Sequence, residues 1–180
     1  MENTQHNSEV MNRDYDLSGD SGRNLLVMVI QLCVSLVATI ILYRLYFPDI
    51  HQSTLAQVAF PVAIFHMFRF IGMSVLMPGQ LDKRISYTAK FQIAIGDLAV
   101  AISAVILTYF IVEGASESLI RILGWIFLAV CFADMANIQR FFTKEKFWNK
   151  EMGLTWLLQV LLAIPFLFGE CVVLYKLIFS

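Results

Sequence analysis

Charged residues are scarce in this chain. Asp, Glu, Lys and Arg make up only 15% of its 180 residues, whereas 58% are hydrophobic. Soluble domains carry about 25% charged residues, so this composition excludes an ordinary soluble fold and indicates a chain that lies mostly in lipid. The net charge of −1 points to no charged partner, because the charges are segregated along the chain.

Motifs typical of enzymes and cofactor sites are also absent. The cysteines Cys33, Cys131 and Cys171 share no CxxC spacing, and we interpret them as small buried hydrophobic residues rather than ligands or disulfides. Only one of the three histidines lies in an apolar segment, which excludes haem held by two intramembrane histidines. We therefore predict a chain that is not an enzyme, carries no cofactor and binds no nucleic acid.

The first 24 residues are polar. They contain five acidic residues and two arginines, and nothing in them resembles the basic start and short apolar core of a cleavable signal peptide. We predict a disordered polar tail over residues 1–24 and a single transmembrane helical domain over 25–180. The first helix of that domain then acts as an uncleaved signal-anchor.

Five apolar windows are long enough to cross about 30 Å of hydrocarbon, which takes about 20 helical residues. They predict an all-α membrane bundle of five transmembrane helices, over residues 25–46, 54–77, 88–112, 119–139 and 153–179. Pro61, His66 and Arg69 interrupt the second window. Rejecting it would nevertheless leave a long apolar loop between two spans, which is less plausible.

The positions of Lys and Arg predict the orientation. Nine of the thirteen fall on the N-terminal side of the bundle, three fall on the other side, and Arg69 lies in the membrane. The nine are Arg13, Arg23, Lys83, Arg84, Lys90, Arg140, Lys144, Lys146 and Lys150. This bias predicts a cytoplasmic N-terminus and a C-terminus outside the cytoplasm.

Ionisable residues inside the predicted spans are the most informative feature. Each costs about 3 kcal/mol or more near a bilayer centre, so it persists only when it is paired, hydrated or used. Helical spacing places Asp97 on a stripe of small alanines, which therefore faces a neighbouring helix. The predicted polar cluster, in the cytoplasmic half of the bundle, comprises His66, Arg69, Asp97, Asp134, Asn137, Gln31 and Gln159.

Glu170 is a secondary member of this set. We predict that it lies nearer the outer face, where Arg44, Arg121 or Lys176 can reach it.

Matched depth on consecutive helices predicts that Arg69 pairs with Asp97, and His66 is expected to hydrogen-bond Asp97 or Asp134. One cation then faces two acids. Either Asp134 is protonated, or His66 is charged, or water or a cation makes up the deficit. A metal held by His66, Asp97 and Asp134 is a weaker alternative, and we predict none because no HxxxH or ExxH spacing supports it.

Four short motifs carry a family resemblance. They are His66-x-x-Arg69-Phe70-x-Gly72, Pro78-Gly79, Gly96-Asp97-Leu98 and Asp134-x-x-Asn137, within residues 60–140. With these motifs the chain resembles a loosely defined group of small multi-pass bacterial inner-membrane proteins of unknown function. The resemblance implies a bacterial inner-membrane protein with Arg69, Asp97 and Asp134 as the common core of the group, and it implies no activity.

Two functions fit these features. The first is a non-enzymatic structural or accessory membrane component whose polar core specifies helix packing. The alternative is a small transporter-like or sensor protein that binds a proton, a cation or a small ligand at the Arg/Asp/His cluster. In either case we expect the lipid bilayer as the surrounding partner, with a second copy or a membrane subunit as further partners.

Overall fold

The computed structural model describes residues 21–47 and 49–179, so the predicted tail lies outside the described residues up to residue 20. The described part of the chain is helical and contains no strand. Its helices are α1 (Ser21–Tyr46), α2 (Leu55–Met67), which continues as a 3₁₀ segment (Phe68–Leu76), α3 (Tyr87–Val112), α4 (Glu117–Lys144) and α5 (Gly153–Phe179). Five helical stretches are long and apolar enough to cross a membrane. The all-helical prediction is thus confirmed.

Two helices extend beyond their predicted bounds by four or more residues at one end. α1 begins at Ser21 rather than Leu25, so residues 21–24 belong to the helix and not to the tail. α4 continues past Gln139 to Lys144. Hydropathy marks only the apolar part of a helix, whereas the backbone can stay helical through polar residues at either end. The basic Lys144 in the last turn also favours such an extension, because it faces the negative end of the helix dipole.

Hydroxyl side chains begin three of the helices. Thr54, Ser86 and Ser116 precede α2, α3 and α4, and each side chain accepts a hydrogen bond from the amide three residues further on. At α2 the cap is reciprocal, because the side chain of Gln57 accepts from the Thr54 N–H. These caps satisfy amide groups that have no partner within the helix, at the points where the chain turns.

The second span changes its helix type halfway. After Met67 the chain continues as a 3₁₀ segment of nine residues, whereas such runs are rarely longer than three or four. The prediction of one uniform α-helix over 54–77 is therefore wrong in its second half. A 3₁₀ helix rises about 2.0 Å per residue, which places Arg69 about 16 Å from Met77 rather than the ~12 Å of an α-helix.

Four of the spans surround a common core, and α1 is peripheral. The second span packs on α3, α4 and α5, while α1 contacts α5 and the short turn at residues 147–149. Thr39 is the only buried residue of α1. Large apolar side chains are exposed along the outer faces of the helices, as expected for surfaces that face lipid, and include Leu26, Val34, Ile102, Ile122 and Leu161.

Two apolar clusters lie above and below a polar layer. On α3, Val100 belongs to the first cluster and Ala94 to the second, and Asp97 lies between them in the sequence. On α4, Cys131 belongs to the first cluster and Phe141 to the second, again with an aspartate between them. The ionisable residues therefore form a layer midway along the bundle.

Contacts between loops define the two ends of the bundle. At one end, Asp82 donates its backbone N–H to the Glu151 carbonyl, at 2.8 Å, and Trp148 donates to the Ser21 hydroxyl, at 3.2 Å. We call this end, formed by residues 21–24, 77–86 and 145–152, the basic end. At the opposite end, Tyr175 lies 3.0 Å from the His51 ring. Successive spans therefore run in alternating directions.

Candidate functional site

Arg69 is the centre of the polar layer. It projects from the 3₁₀ segment, its Nε donates to Asp97 Oδ1 of α3 at 2.9 Å, and its Nη2 donates to Asp134 Oδ2 of α4. The guanidinium also lies 5.3 Å from the centre of the Phe166 ring. The predicted Arg69–Asp97 pair is present, and the same guanidinium holds the second aspartate as well. One side chain thereby connects three spans.

Glycines allow the two aspartates to come this close. A β-carbon built on Gly72 of the 3₁₀ segment would overlap the carboxylate of Asp97, and one built on Gly96 of α3 would overlap that of Asp134. Both carboxylates therefore lie against the backbone of a neighbouring segment, where any other residue would displace them. Gly72 and Gly96 are part of the site for this steric reason.

Glu170 of α5 also belongs to the layer, where Arg69 lies beside it instead of the cations expected from the outer face. It is fully buried, and its Oε1 lies 3.9 Å from Arg69 Nη1 and 3.8 Å from His66 Nε2. The prediction separated Glu170 from the other polar residues because its depth was counted from the inner end of the fifth span alone. It lies nine residues from Phe179, about 14 Å from the other end of α5, and the 3₁₀ segment carries Arg69 towards the same level.

His66 lies beside Glu170 and Cys131, and none of its contacts is with an aspartate among the described residues. Its Nδ1 lies 3.9 Å from Cys131 Sγ, and its ring packs against Phe127 and Phe166, with centroids 5.2 and 4.5 Å away. The expected hydrogen bond from His66 to Asp97 or Asp134 is therefore wrong, because the ring is turned towards α4 and α5. His66, Cys131 and Glu170 come from three different helices and are all fully buried.

The layer holds more acid than base. Arg69 faces three carboxylates, where the sequence predicted two, and the His66 imidazole lies beside one of them, Glu170. Several buried polar atoms of the layer have no hydrogen-bond partner among the described residues, namely His66 Nε2, Arg69 Nη1, Asp134 Oδ1 and both oxygens of Glu170. Such groups cost about 1–3 kcal/mol each when unsatisfied. The arrangement therefore has the capacity to take up positive charge.

A small cavity adjoins the layer towards the basic end. Its volume is about 100 Å³, and Arg69, Asp97, Gln159 and Phe166 are among its lining residues. Drug-sized ligands occupy pockets of about 300–1,000 Å³, whereas a single water needs only about 15 Å³ of such space. The cavity therefore suits several waters or a hydrated ion rather than a lipid-like molecule.

The remaining predicted members lie in different places. Gln159 lines the cavity. Gln31 accepts a hydrogen bond from Trp156 Nε1 at 3.1 Å and so connects α1 to α5. Asn137 accepts from Arg140 on its own helix, also at 3.1 Å. Neither Gln31 nor Asn137 reaches Arg69, because each contributes a short side chain from a position nearer the basic end of its helix.

The interpretation of all three cysteines as buried residues was wrong for two of them. Cys33 and Cys171 are exposed, and only Cys131 is buried. In a lipid-facing helix an apolar side chain does not need to lie inside the protein, so hydropathy cannot distinguish these positions. Cys131 is the site residue that the sequence analysis missed, although its spacing of three from Asp134 already placed the two on one helix face.

A second set of ionic contacts joins the loops of the basic end. Arg84 donates to Asp82 from its backbone N–H at 2.8 Å and from Nη2 at 2.6 Å, and the Glu151 N–H donates to Asp82 Oδ2 at 3.2 Å. Hydrogen bonds from the Arg84 side chain are the main cause that lowers the pKa of Asp82 below its usual range, and they outweigh the opposing effect of burial. Asp82 thus fastens two loops while it stays ionised.

Ser86 and Glu145 form a similar link. Burial raises the pKa of Glu145, but hydrogen bonds from the hydroxyl and the backbone N–H of Ser86, together with nearby Lys150 and Lys144, lower it overall. The start of α3 is thereby joined to the end of α4.

Comparisons with known proteins identify a family and no activity. Residues 27–178 match the model of a family described as a domain of unknown function (DUF8737). No curated protein and no solved structure matches the chain.

Proposed function

This chain belongs to the DUF8737 family, a domain of unknown function, and we propose that it is a non-enzymatic membrane component whose polar layer clamps its spans together. The observation that carries the proposal is the position of Arg69, which contacts Asp97, Asp134 and Glu170 from three other helices. Lipid tails are as apolar as the helix surfaces, so polar contacts and close packing decide how such helices associate. A central cation that holds three helices supplies such a contact.

We further propose that the chain spans a bacterial inner membrane with its N-terminus in the cytoplasm. Five sufficiently long apolar helices support the spans, and the concentration of Lys and Arg at the basic end supports the orientation. The test is a pair of reporters fused after Ser180, an alkaline phosphatase that is active outside the cytoplasm and a fluorescent protein that is active inside it. Phosphatase activity is expected, and fluorescence instead would contradict the orientation.

The clamp is tested by comparing the stabilities of two variants in detergent. Arg69→Ala leaves three buried carboxylates without their cation and is expected to cost about 3–5 kcal/mol. The double change Arg69→Met with Asp97→Leu removes one of those carboxylates as well, and we expect it to be more stable than the single change. Arg44→Ala, which alters an exposed arginine of α1, is the matched control. Equal stability of Arg69→Ala and the wild type would contradict the proposal that Arg69 holds the helices together.

The excess of acid favours a second candidate function, a transporter-like or sensor protein that binds a cation in the layer. A bound ion would satisfy carboxylate oxygens that have no partner among the described residues. A ligand at a hundred times its Kd stabilises the folded state by about 2.7 kcal/mol. We expect a raised melting temperature with one ion from a panel of Na⁺, K⁺, Mg²⁺ and Zn²⁺. An unchanged melting temperature with all four ions would contradict the cation-binding function and leave the structural function as the remaining candidate.

A further inference from the structure

Three side chains of types that commonly bind metals lie together beside Arg69. His66, Cys131 and Glu170 each offer one donor atom, and these atoms lie within 4.8 Å of one another. The residues come from α2, α4 and α5, and none of them is exposed. His66 Nε2 and both Glu170 oxygens also lack hydrogen-bond partners among the described residues, so these atoms are available to bind an ion.

We propose that His66, Cys131 and Glu170 form a binding site for a divalent transition-metal ion of the Zn²⁺ type. This proposal rests on the second candidate function and names its ion. A thiolate, an imidazole and a carboxylate are the usual ligands of Zn²⁺, whereas Mg²⁺ and Ca²⁺ prefer sites made of oxygen atoms alone. The donor set therefore selects the class of ion.

The distances require little rearrangement. Bond lengths of about 2.0–2.3 Å place two ligand atoms of a tetrahedral zinc site about 3.3–3.7 Å apart. Here His66 Nε2 lies 3.8 Å from Glu170 Oε1, and one donor atom from each of the three residues lies within 4.8 Å of the others. The 3.9 Å contact of Cys131 Sγ is to the other ring nitrogen, Nδ1. Changes of side-chain rotamer and shifts of about 1 Å bring all three donors to these distances.

The surrounding charges favour a cation. Arg69 faces Asp97 and Asp134 as well as Glu170, so one guanidinium is shared among three carboxylates. Glu170 Oε1 lies close to both Arg69 Nη1 and His66 Nε2, and Oε2 has no hydrogen-bond partner among the described residues. A rotation of the carboxylate can therefore offer Oε2 to the ion while Oε1 stays beside Arg69. When the ion binds, the Cys131 thiol gives up its proton to solvent and coordinates as the thiolate, so the layer gains one net positive charge.

Three protein ligands also suggest how the site is used. Structural zinc sites normally have four protein ligands, whereas sites with three keep one position open for water or another ligand. An ion held by only three side chains is the more easily exchanged. This suits a sensor or a transporter, and it distinguishes the site from a permanent structural metal.

The experiment is metal binding by the purified protein in detergent, prepared with a tag that contains no histidine and stripped with a chelator. Zn²⁺ is added and the unbound ion removed, and the bound metal is measured by elemental analysis. Co²⁺ serves as the spectroscopic probe, because a cysteine ligand gives a thiolate-to-cobalt charge-transfer band. We expect about one ion per chain and a clear charge-transfer band.

The cysteines provide matched variants. The double variant Cys33→Ser with Cys171→Ser changes only exposed thiols and is expected to keep both the ion and the band. Cys131→Ser is expected to lose the band and most of the bound metal. Glu170→Gln, which preserves the shape of the side chain, is expected to lose bound metal as well, and circular dichroism confirms that each variant is folded.

Two results would overturn the metal site. One is a wild-type protein that binds no more Zn²⁺ than folded Cys131→Ser or Glu170→Gln, and the other is a charge-transfer band that disappears with Cys33 and Cys171. If Na⁺, K⁺ or Mg²⁺ still stabilises the wild type in that case, the metal site fails while the cation-binding function survives. If no ion stabilises the wild type, the metal site and the cation-binding function are both contradicted. The structural role of Arg69 is then judged separately, by the stabilities of the Arg69 variants.

Discussion

Asp134 of α4 fills the space beside Gly96 of α3 that a β-carbon would occupy. The same relationship holds between Asp97 and Gly72 of the 3₁₀ segment. Each carboxylate is thus held between the Arg69 guanidinium on one side and a glycine backbone on the other. The spacing of three spans is therefore set by two glycines as much as by the charges.

Gly96→Ala is expected to destabilise the protein. The added methyl group meets a carboxylate that Arg69 holds in place, so either the ion pair or the helix spacing must change. Overpacking of this kind costs about 1–3 kcal/mol, which thermal unfolding in detergent can measure.

Gly124→Ala is the control for that measurement. Its β-carbon would lie 3.3 Å from a methyl group of Leu177, which is the flexible end of a side chain and can move aside. If both variants unfold at the same temperature, the close contact between Asp134 and Gly96 is not what limits the spacing.

Arg69→Lys is expected to lie between the wild type and Arg69→Ala in stability. Lysine keeps the positive charge, but its single ammonium cannot reproduce the fixed fork that donates to Asp97 through Nε and to Asp134 through Nη2. The measurement is the unfolding temperature of the three proteins side by side. A lysine variant as stable as the wild type would show that charge alone, without fork geometry, is sufficient.

Tyr43→Phe is expected to loosen α1 from the bundle. The Tyr43 hydroxyl donates to the Pro165 carbonyl of α5 at 3.3 Å, and α1 has few other buried contacts. Interhelical hydrogen bonds in membranes contribute about 0.6 kcal/mol, which corresponds to a shift of about 2 °C in unfolding temperature. Tyr46→Phe, at an exposed position of the same helix, should leave the temperature unchanged, and an equal shift in both would contradict the assignment.

The loop link at Asp82 predicts acid sensitivity of the basic end. Because the pKa of Asp82 is lowered in the folded state, its contribution is present above the unfolded value of about 3.9 and disappears as the pH falls below it. Arg84 is 59% exposed on its side chain, so screening by solvent keeps the contribution small.

The measurement compares unfolding temperatures of wild type and Asp82→Asn at about pH 6 and pH 3. The wild type should be the more stable at the higher pH, and the difference should shrink at the lower one. Glu113→Gln, at the opposite end, serves as a control for general acid effects. A constant difference between wild type and Asp82→Asn across this range would show that the ionised carboxylate does not fasten the loops.

Hydropathy and spacing predicted the number and type of helices because lipid imposes a long apolar segment on each span. They also paired Arg69 with Asp97, since depth and direction are fixed by counting residues along regular helices. Counting failed for Glu170, because the second span is not uniform and long side chains connect different levels. It failed for Cys131 and His66 as well, because the rotation of one helix against another depends on packing that no single helix encodes.

The 3₁₀ segment also affects the length of the second span. The second span has only 22 residues, against 25–28 in the others. Its nine stretched residues extend it to about 38 Å, the length of a 25-residue α-helix. All five helices are therefore closely matched in length. Rewinding this segment into a regular α-helix would shorten it by about 4–5 Å and would shift the Arg69 guanidinium along the bundle relative to the carboxylates that it holds.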